Sequence, residues 1–407
     1  MAGRRSGVTL PEGFLAAGVD AGVKRFGRKD IGLIYSTVPA VAVGVLTTNR
    51  IVAAPVVLMR EQLRGGEARA IIANSGNANC CTGAGGLRDA RETAREVAKL
   101  LRVPERQVLV ASTGVIGRRL PMPRILRSLP LLVGSLHRGG GADVAHAIMT
   151  TDTVSKEASA VVRLGRRVIR IGAVAKGSGM VQPHMATMLA FITTDAPLTR
   201  QAAQRALRLA VDRTFNRITV DGDTSTNDAV ILMANGLAGG AKVGASGSVF
   251  ERFAQALETV CRQLAQMIAR DGEGATRLIE VAVEGARTPQ EADRVARRVA
   301  NSPLVKTMVT GGDPNWGRLA AAVGSSDVPV DPERLVIRCE SGRRGGDGLA
   351  VFRRGMVLPT DRSIGRRLLQ ETVVRFRIQL RAGRCETVMW TCDLTEGYIR
   401  INAKYST

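Results

Sequence analysis

Aromatic residues are scarce in this chain of 407, with Phe, Trp and Tyr together at 3%. Base-stacking surfaces need such rings, so their scarcity argues against nucleic acid although the net charge of +22 invites it. Lysine is scarce as well. Eight lysines stand against fifty arginines, and those arginines are scattered along the chain rather than gathered in a block, as expected for solvated surface positions. The three histidines, His137, His146 and His184, are dispersed. The six cysteines, Cys80, Cys81, Cys261, Cys339, Cys385 and Cys392, include no CxxC pair. Neither a zinc site nor a disulfide framework is therefore expected. No apolar run approaches the ~18 residues that span a bilayer; Pro39 and Gly44 interrupt Val38 to Leu46. The opening Met-Ala-Gly-Arg-Arg lacks a following apolar segment, so a cytoplasmic protein without membrane contact is the expectation. GxxxxGK[ST] is absent, and no GxGxxG follows a strand in the dinucleotide-binding arrangement, which removes support for a nucleotide cofactor.

What is present is a large apolar fraction, 45%, enough for an extensive core. Leu87, Ala90, Ala94, Val97 and Leu101 recur at helical spacing until Pro104. Further helices are expected from Arg200 to Thr214 behind a capping Thr199, from a Ser248–Glu251 capping box to Asp271-Gly272, and from Thr288-Pro289 to the residue before Pro303. In the long third helix, Phe250, Phe253, Leu257, Val260, Leu264 and Met267 are expected to form one apolar face. Strand-like runs alternate with these helices, among them Ile31 to Tyr35, Val41 to Thr47, Val108 to Ala111, Val168 to Ala175, Met188 to Thr194 and Gly397 to Ile401. The expected fold class is α/β (α+β), layered mixed sheets flanked by helices. The glycine runs at 139–141 and 239–247 read as ordinary loops.

The most informative segment is Lys176-Gly-Ser-Gly-Met-Val-Gln-Pro-His-Met-Ala-Thr187, followed by Met-Leu-Ala-Phe-Ile-Thr-Thr-Asp195. A glycine-rich, proline-containing turn precedes a strand-like run that starts at Thr187. The Thr187 hydroxyl is spaced for a five-membered cyclic attack on the Ala186 carbonyl, an N→O acyl shift. Hydrolysis of that ester would free the Thr187 α-amine, whose reference pKa near ~8 suits it to activate its own hydroxyl. Self-cleavage at Ala186–Thr187 would divide the chain into residues 1–186 and 187–407.

Other stretches are dense in polar groups. Asn74-Ser-Gly-Asn-Ala-Asn79 and Ser112-Thr113-Gly114 follow strand-like runs, where exposed N–H groups could form an oxyanion pocket. Asp221-Gly-Asp-Thr-Ser-Thr-Asn-Asp228, Asp271-Gly-Glu273-Gly and Asp313-Pro-Asn-Trp-Gly-Arg318 complete the set. Taken singly, each has a plainer reading. Ser112–Gly114 is a turn, Glu273 a solvated helix-end carboxylate, Lys176 a surface lysine, and Asp221–Asp228 a turn network without calcium-loop spacing.

Taken in order these motifs, with Pro11-Glu-Gly-Phe14, Thr48-Asn49, Ala53-Ala-Pro-Val56, Met149-Thr-Thr-Asp-Thr153 and Gly397 to Thr407, resemble the ornithine acetyltransferase (glutamate N-acetyltransferase) family of arginine biosynthesis across essentially the full chain. The resemblance implies that Thr187 is the nucleophile in both self-processing and acetyl transfer, and that Thr113 and Gly114 form the oxyanion hole. It implies a substrate site of Thr150, Lys176, Thr187, Glu273, Asn402 and Thr407, with Lys176 suited to a substrate carboxylate and Glu273 to an ammonium. It also implies a two-alpha, two-beta heterotetramer of the cleaved fragments. The substrates would be N2-acetylornithine and glutamate, with no resident cofactor; a bifunctional member would also take acetyl-CoA as co-substrate. The sequence departs from the family at His184, where Asn is usual, and at Cys80, where a small residue is usual. A self-processed aminopeptidase or amidase is the rival enzyme reading, differing in that water accepts the acyl group. A basic RNA-binding protein is the non-enzymatic rival, and it lacks a recognition motif.

Overall fold

The computed structural model describes residues 7–24, 27–164, 167–182, 188–342 and 346–404. The chain divides into two compact units, Met1–Asn216 with Asp223–Ile268, and Arg217–Gly222 with Ala269–Thr407. Strands on both sides of residue 187 belong to one sheet of the first unit.

That sheet contains β1 (Phe14–Val19), β2 (Ile31–Leu46), β3 (Glu67–Asn74), β4 (Val108–Ser112), β5 (Lys156–Leu164), β6 (Arg167–Lys176), β7 (Leu189–Thr194) and β8 (Ala229–Ala234). Its order is β4-β3-β2-β8-β7-β6-β5, with β1 paired to β2. β3–β4 and β7–β8 run parallel and the other pairs antiparallel, so the sheet is mixed as expected. The two runs expected at 31–35 and 41–47 are a single strand, β2. Its pairing with β3 is irregular between Tyr35 and Ala40, around Pro39, which has no N–H to give to a ladder.

Every residue of β4, β7 and β8 is buried, because both faces of the sheet are covered; strands so covered lose the polar alternation of a one-sided sheet. Ile71, Ala73, Leu109 and Ala111 join one apolar cluster, while Ala70, Ile72, Val108 and Val110 join another. Helices α1 (Ala54–Leu63), α2 (Gly83–Leu101), α3 (Met122–Gly134), α4 (Gly141–Ile148), α5 (Arg200–Arg213) and α6 (Ser248–Arg270) accompany this sheet. α5 is capped by Thr199, whose side chain accepts the Ala202 N–H, as expected. In α6 the Glu251 N–H bonds Gly247 O instead of a Ser248 side chain. Met267 is exposed, and Ile268 takes the buried position, because a 3.6-residue period drifts off a strict 3-4 count over so long a helix. Gly140 is no ordinary loop residue: a Cβ there would lie 1.8 Å from the Ala16 carbonyl oxygen.

The second unit holds β9 (Leu278–Ala286), β10 (Val336–Ser341), β11 (Gly348–Arg353), β12 (Met356–Val357), β13 (Val373–Gln379) and β14 (Cys385–Cys392), ordered β12-β11-β10-β13-β9-β14. Its core contains Ile279, Val281, Val283, Ile337, Phe376 and Ile378 with residues from α7 (Pro289–Ala300), α8 (Pro303–Gly311), α9 (Gly317–Gly324) and α10 (Arg362–Leu369). Thr288 caps α7 through the Glu291 N–H, with Pro289 at its first position. The alternate strand positions carry charge: Arg375 pairs with Glu280 at 2.6 Å, and Arg377 with Glu340 at 3.1 Å.

The expected strand at Gly397 to Ile401 is a helix, α11 (Glu396–Asn402). Thr395 caps it by accepting the Gly397 N–H at 3.0 Å. Five residues of Gly-Tyr-Ile-Arg-Ile fit either period, and the cap decides. No helix among the described residues is long and apolar enough to cross a membrane.

Candidate active site

In the first unit the chemistry gathers beyond the ends of β3, β4 and β6. The Thr113 N–H bonds Asn74 O at 3.0 Å, and Ser112 Oγ donates to Asn74 Oδ1 at 2.6 Å. Asn74 Nδ2 donates to Asn77 O at 2.8 Å. The Asn74–Asn79 stretch is thereby folded back against Ser112–Val115. Gly114 has φ +130, and a Cβ there would sit 2.3 Å from the Gly76 carbonyl carbon. Only glycine fits so close an approach. Asn227 Nδ2 donates to Ala78 O at 2.5 Å and Ser112 O at 2.9 Å, tying both segments to the start of β8.

Lys176, the last residue of β6, is buried, and its Nζ donates to Thr113 Oγ1 at 3.1 Å. A lysine ammonium has donors only, so the threonine oxygen accepts and its own O–H remains a donor. The next residue, Gly177, gives its N–H to Asp152 Oδ1 at 2.7 Å, and the Thr150 N–H reaches Asp152 Oδ2 at 2.9 Å. Asp152 also pairs with Lys156 at 2.7 Å, both side chains being fully buried. Burial alone would raise the Asp152 carboxyl; the Lys176 and Lys156 charges outweigh it and hold the group down at about 2. Lys24 belongs to the same electrostatic neighbourhood. Burial pushes its ammonium down to about 8, against the raising effect of Asp30 and Asp152.

Asp228 is also fully buried. Burial lifts its carboxyl well above the usual range, with Lys176, Ser225 and the Met188 N–H opposing. Its Oδ2 has no hydrogen-bond partner. The Met188 amide is the one that joins residue 187 to the rest of the chain.

In the second unit Glu273 is buried, and Asn402 Nδ2 donates to its Oε2 at 2.6 Å. Glu273 is thus no solvated helix-end carboxylate. Gly274 has φ +71 and lets α11 approach, since a Cβ would lie 2.4 Å from Tyr398 N. The Asp313–Arg318 stretch packs the unit instead: Trp316 is buried with its Nε1 donating to Thr360 Oγ1 at 2.9 Å, and Arg318 binds Leu304 O.

Of the expected site residues, Thr113, Gly114, Thr150 and Lys176 come together in the first unit, and Glu273 meets Asn402 in the second. Ala186, Thr187, Thr407 and His184 lie outside the described residues.

The ArgJ family profile matches residues 15–407. The chain belongs to the ArgJ family. It is 50% identical over 403 residues to the arginine biosynthesis bifunctional protein ArgJ of Symbiobacterium thermophilum, covering 98% of each chain. The protein of the same name from a Synechococcus strain is 45% identical over 411 residues, covering 98% of this chain and 97% of that one. A crystal structure of the Bacillus halodurans arginine biosynthesis bifunctional protein ArgJ is 41% identical over 44% of this chain and 95% of its own, with a TM-score of 0.43.

Among the residues gathered around Lys176 in this ArgJ-family chain, sequence reading assigned no role to Lys24, Asp152, Asn227 or Asp228. A carboxylate set directly before the wholly apolar run Ala229–Ala234 was the available signal for Asp228. Asp152 and Lys156, four apart before a strand, offered a weaker one.

Proposed function

We propose that the chain is an acetyltransferase of arginine biosynthesis that moves the acetyl group of N2-acetylornithine to glutamate through an acetyl-Thr187 ester, after cutting itself at Ala186–Thr187. The observation carrying this reading is the contact of the buried Lys176 with Thr113 beside Gly114. It leaves the Thr113 hydroxyl hydrogen free to join the Gly114 N–H in stabilising an oxyanion. Such donors contribute roughly 3–4 kcal/mol each.

The steps follow the ordinary logic of an N-terminal nucleophile. The Thr187 amine takes the proton of its own hydroxyl, and Oγ attacks the acetyl carbonyl. Collapse of the tetrahedral species releases ornithine, which takes the proton. Glutamate's α-amine then attacks the ester and regenerates the Thr187 hydroxyl. Donor and acceptor share an α-amino-acid head, so one pocket serves both. Thr150, Lys176, Glu273, Asn402 and Thr407 are proposed to line it, and Asn402 fixes the Glu273 carboxylate for an ammonium group. The relatives' name, bifunctional, supports a second donor, for which acetyl-CoA is proposed. The enzyme is proposed to need no resident cofactor or metal, to work in the cytoplasm, and to assemble from two alpha and two beta fragments.

A denaturing gel with amino-terminal sequencing tests the cut. Two fragments are expected, one starting Thr187-Met188, and Thr187→Ala should leave a single chain. An unbroken wild-type chain with full activity would overturn the reading. Glutamate acetylation from acetyl-CoA without acetylornithine decides the second donor.

A further inference from the structure

Cys80 and Cys81 are adjacent, and their Sγ atoms lie 3.7 Å apart. Successive side chains of extended backbone point to opposite faces; here Cys81 has φ +57, left-handed backbone, and the two sulfurs converge. Cys80 is buried beside Ala53, Val56 and Ala78, whereas Cys81 is exposed. One thiol is therefore reachable from solvent with the second directly behind it.

We propose that Cys80 and Cys81 form a vicinal dithiol, a modification site that closes to an internal disulfide on meeting a small-molecule disulfide and thereby disables the oxyanion segment. The Cys81 thiolate attacks one sulfur of the reagent, forming a mixed disulfide and expelling one thiolate. Cys80 loses its proton and attacks Cys81 Sγ, expelling the second. Two protein thiols are oxidised, and one reagent disulfide is reduced to two thiols. Closure brings the sulfurs from 3.7 Å to about 2.05 Å.

The surrounding bonds carry that movement to the site. Cys80 O accepts the Gly117 N–H at 3.0 Å, and the Ala78 N–H bonds Val115 O at 2.9 Å. The Cys80 thiol is hydrogen-bonded to Thr226, and Thr226 Oγ1 donates to Asn227 Oδ1 at 2.6 Å. These rungs flank Thr113–Gly114, where a misplacement of about 1 Å costs on the order of a hundredfold in rate. Adjacent Cα atoms sit only ~3.8 Å apart across a trans peptide, below the ~4.4–6.8 Å of relaxed disulfides, so the closed form is easily reduced and the modification reversible.

The test uses the processed wild-type enzyme, oxidised glutathione as oxidant, and phenylarsine oxide as a probe that bridges two close thiols with loss of water. Peptide mapping should find Cys80 joined to Cys81 with two hydrogens lost. Acetyl transfer should fall by roughly tenfold or more and return with dithiothreitol. Wild type should retain one phenylarsine equivalent through a monothiol wash and release it to a dithiol. Cys80→Ala and Cys81→Ser should retain none, and Cys80→Ala should keep its basal activity and resist oxidation. A glutathione adduct on Cys81 without ring closure, arsenical retention unchanged in the variants, or full activity in the closed form would each overturn the proposal. Only the activity readout rests on the proposed acetyl transfer; mapping and arsenical retention fail or succeed independently of it.

Discussion

Asp152→Asn separates the stability and the catalytic roles of one buried charge. The Asp152 and Lys156 side chains are fully buried, 2.7 Å apart. Removing one member of such a pair strands the other, at a cost of about 3–5 kcal/mol. Against a total of about 5–15 kcal/mol that is a large fraction. With a urea slope of about 2–3 kcal/mol/M, the midpoint should fall by about 1–2 M. Trp316 and Trp390, the protein's two tryptophans, both lie in the second unit. Far-UV circular dichroism, rather than fluorescence, is therefore the readout. Asp152→Asn/Lys156→Met should recover part of the loss, since Lys156 no longer stands buried without its partner, although Lys176 still lacks the charge facing it. It should not recover acetyl transfer, because Asn keeps the acceptor for the Gly177 N–H but withdraws the charge facing Lys176. An unchanged midpoint in the single variant, or full activity in the double, would refute the reasoning.

Acid should weaken the protein through the same group: its carboxyl sits at about 2 against 3.8, so on the order of 2 kcal/mol is present above pH 4 and lost as pH falls through 2. Melting curves of wild type and the double variant should converge in that window. Gly114→Ala should lower kcat by about 10²–10³-fold, since its Cβ would strike the Gly76 backbone where the oxyanion donor must sit; steady-state kinetics on folded variant measure it. Asp228→Asn should melt higher than wild type at neutral pH. The raised Asp228 carboxyl gives stability only below its unfolded value and loses it as pH rises through the folded one, and Asn removes that slope. Asn402→Ala should raise KM for the amino-acid substrate more than it lowers kcat, because Glu273 loses its 2.6 Å restraint.

Much of the fold was legible where the pattern was long. Helical periodicity located α2 and α5, and the Thr199 and Thr288 caps marked two starts correctly. Short or proline-bearing helices escaped: α3 carries Pro123 and an internal Pro130, and α1, α8 and α10 span no more than ten residues each. Strand order was beyond the pattern because β4, β7 and β8 are buried throughout, leaving no polar alternation to say which edge faces what. In the site, the Thr113–Gly114 turn was legible from glycine at a strand end. Asp152 and Asp228 were not, because their importance lies in burial and, beyond near neighbours such as Lys156 and Ser225, in Gly177 and Met188, which are distant in sequence.

The central claim is an acetyl group carried on residue 187. Incubation of the processed enzyme with N2-acetylornithine alone, followed by an acid quench and mass spectrometry of the fragment beginning at Thr187, tests it most directly. One acetyl group should appear on Thr187 and vanish when glutamate is added. Turnover to N-acetylglutamate with that fragment never acetylated would contradict the account.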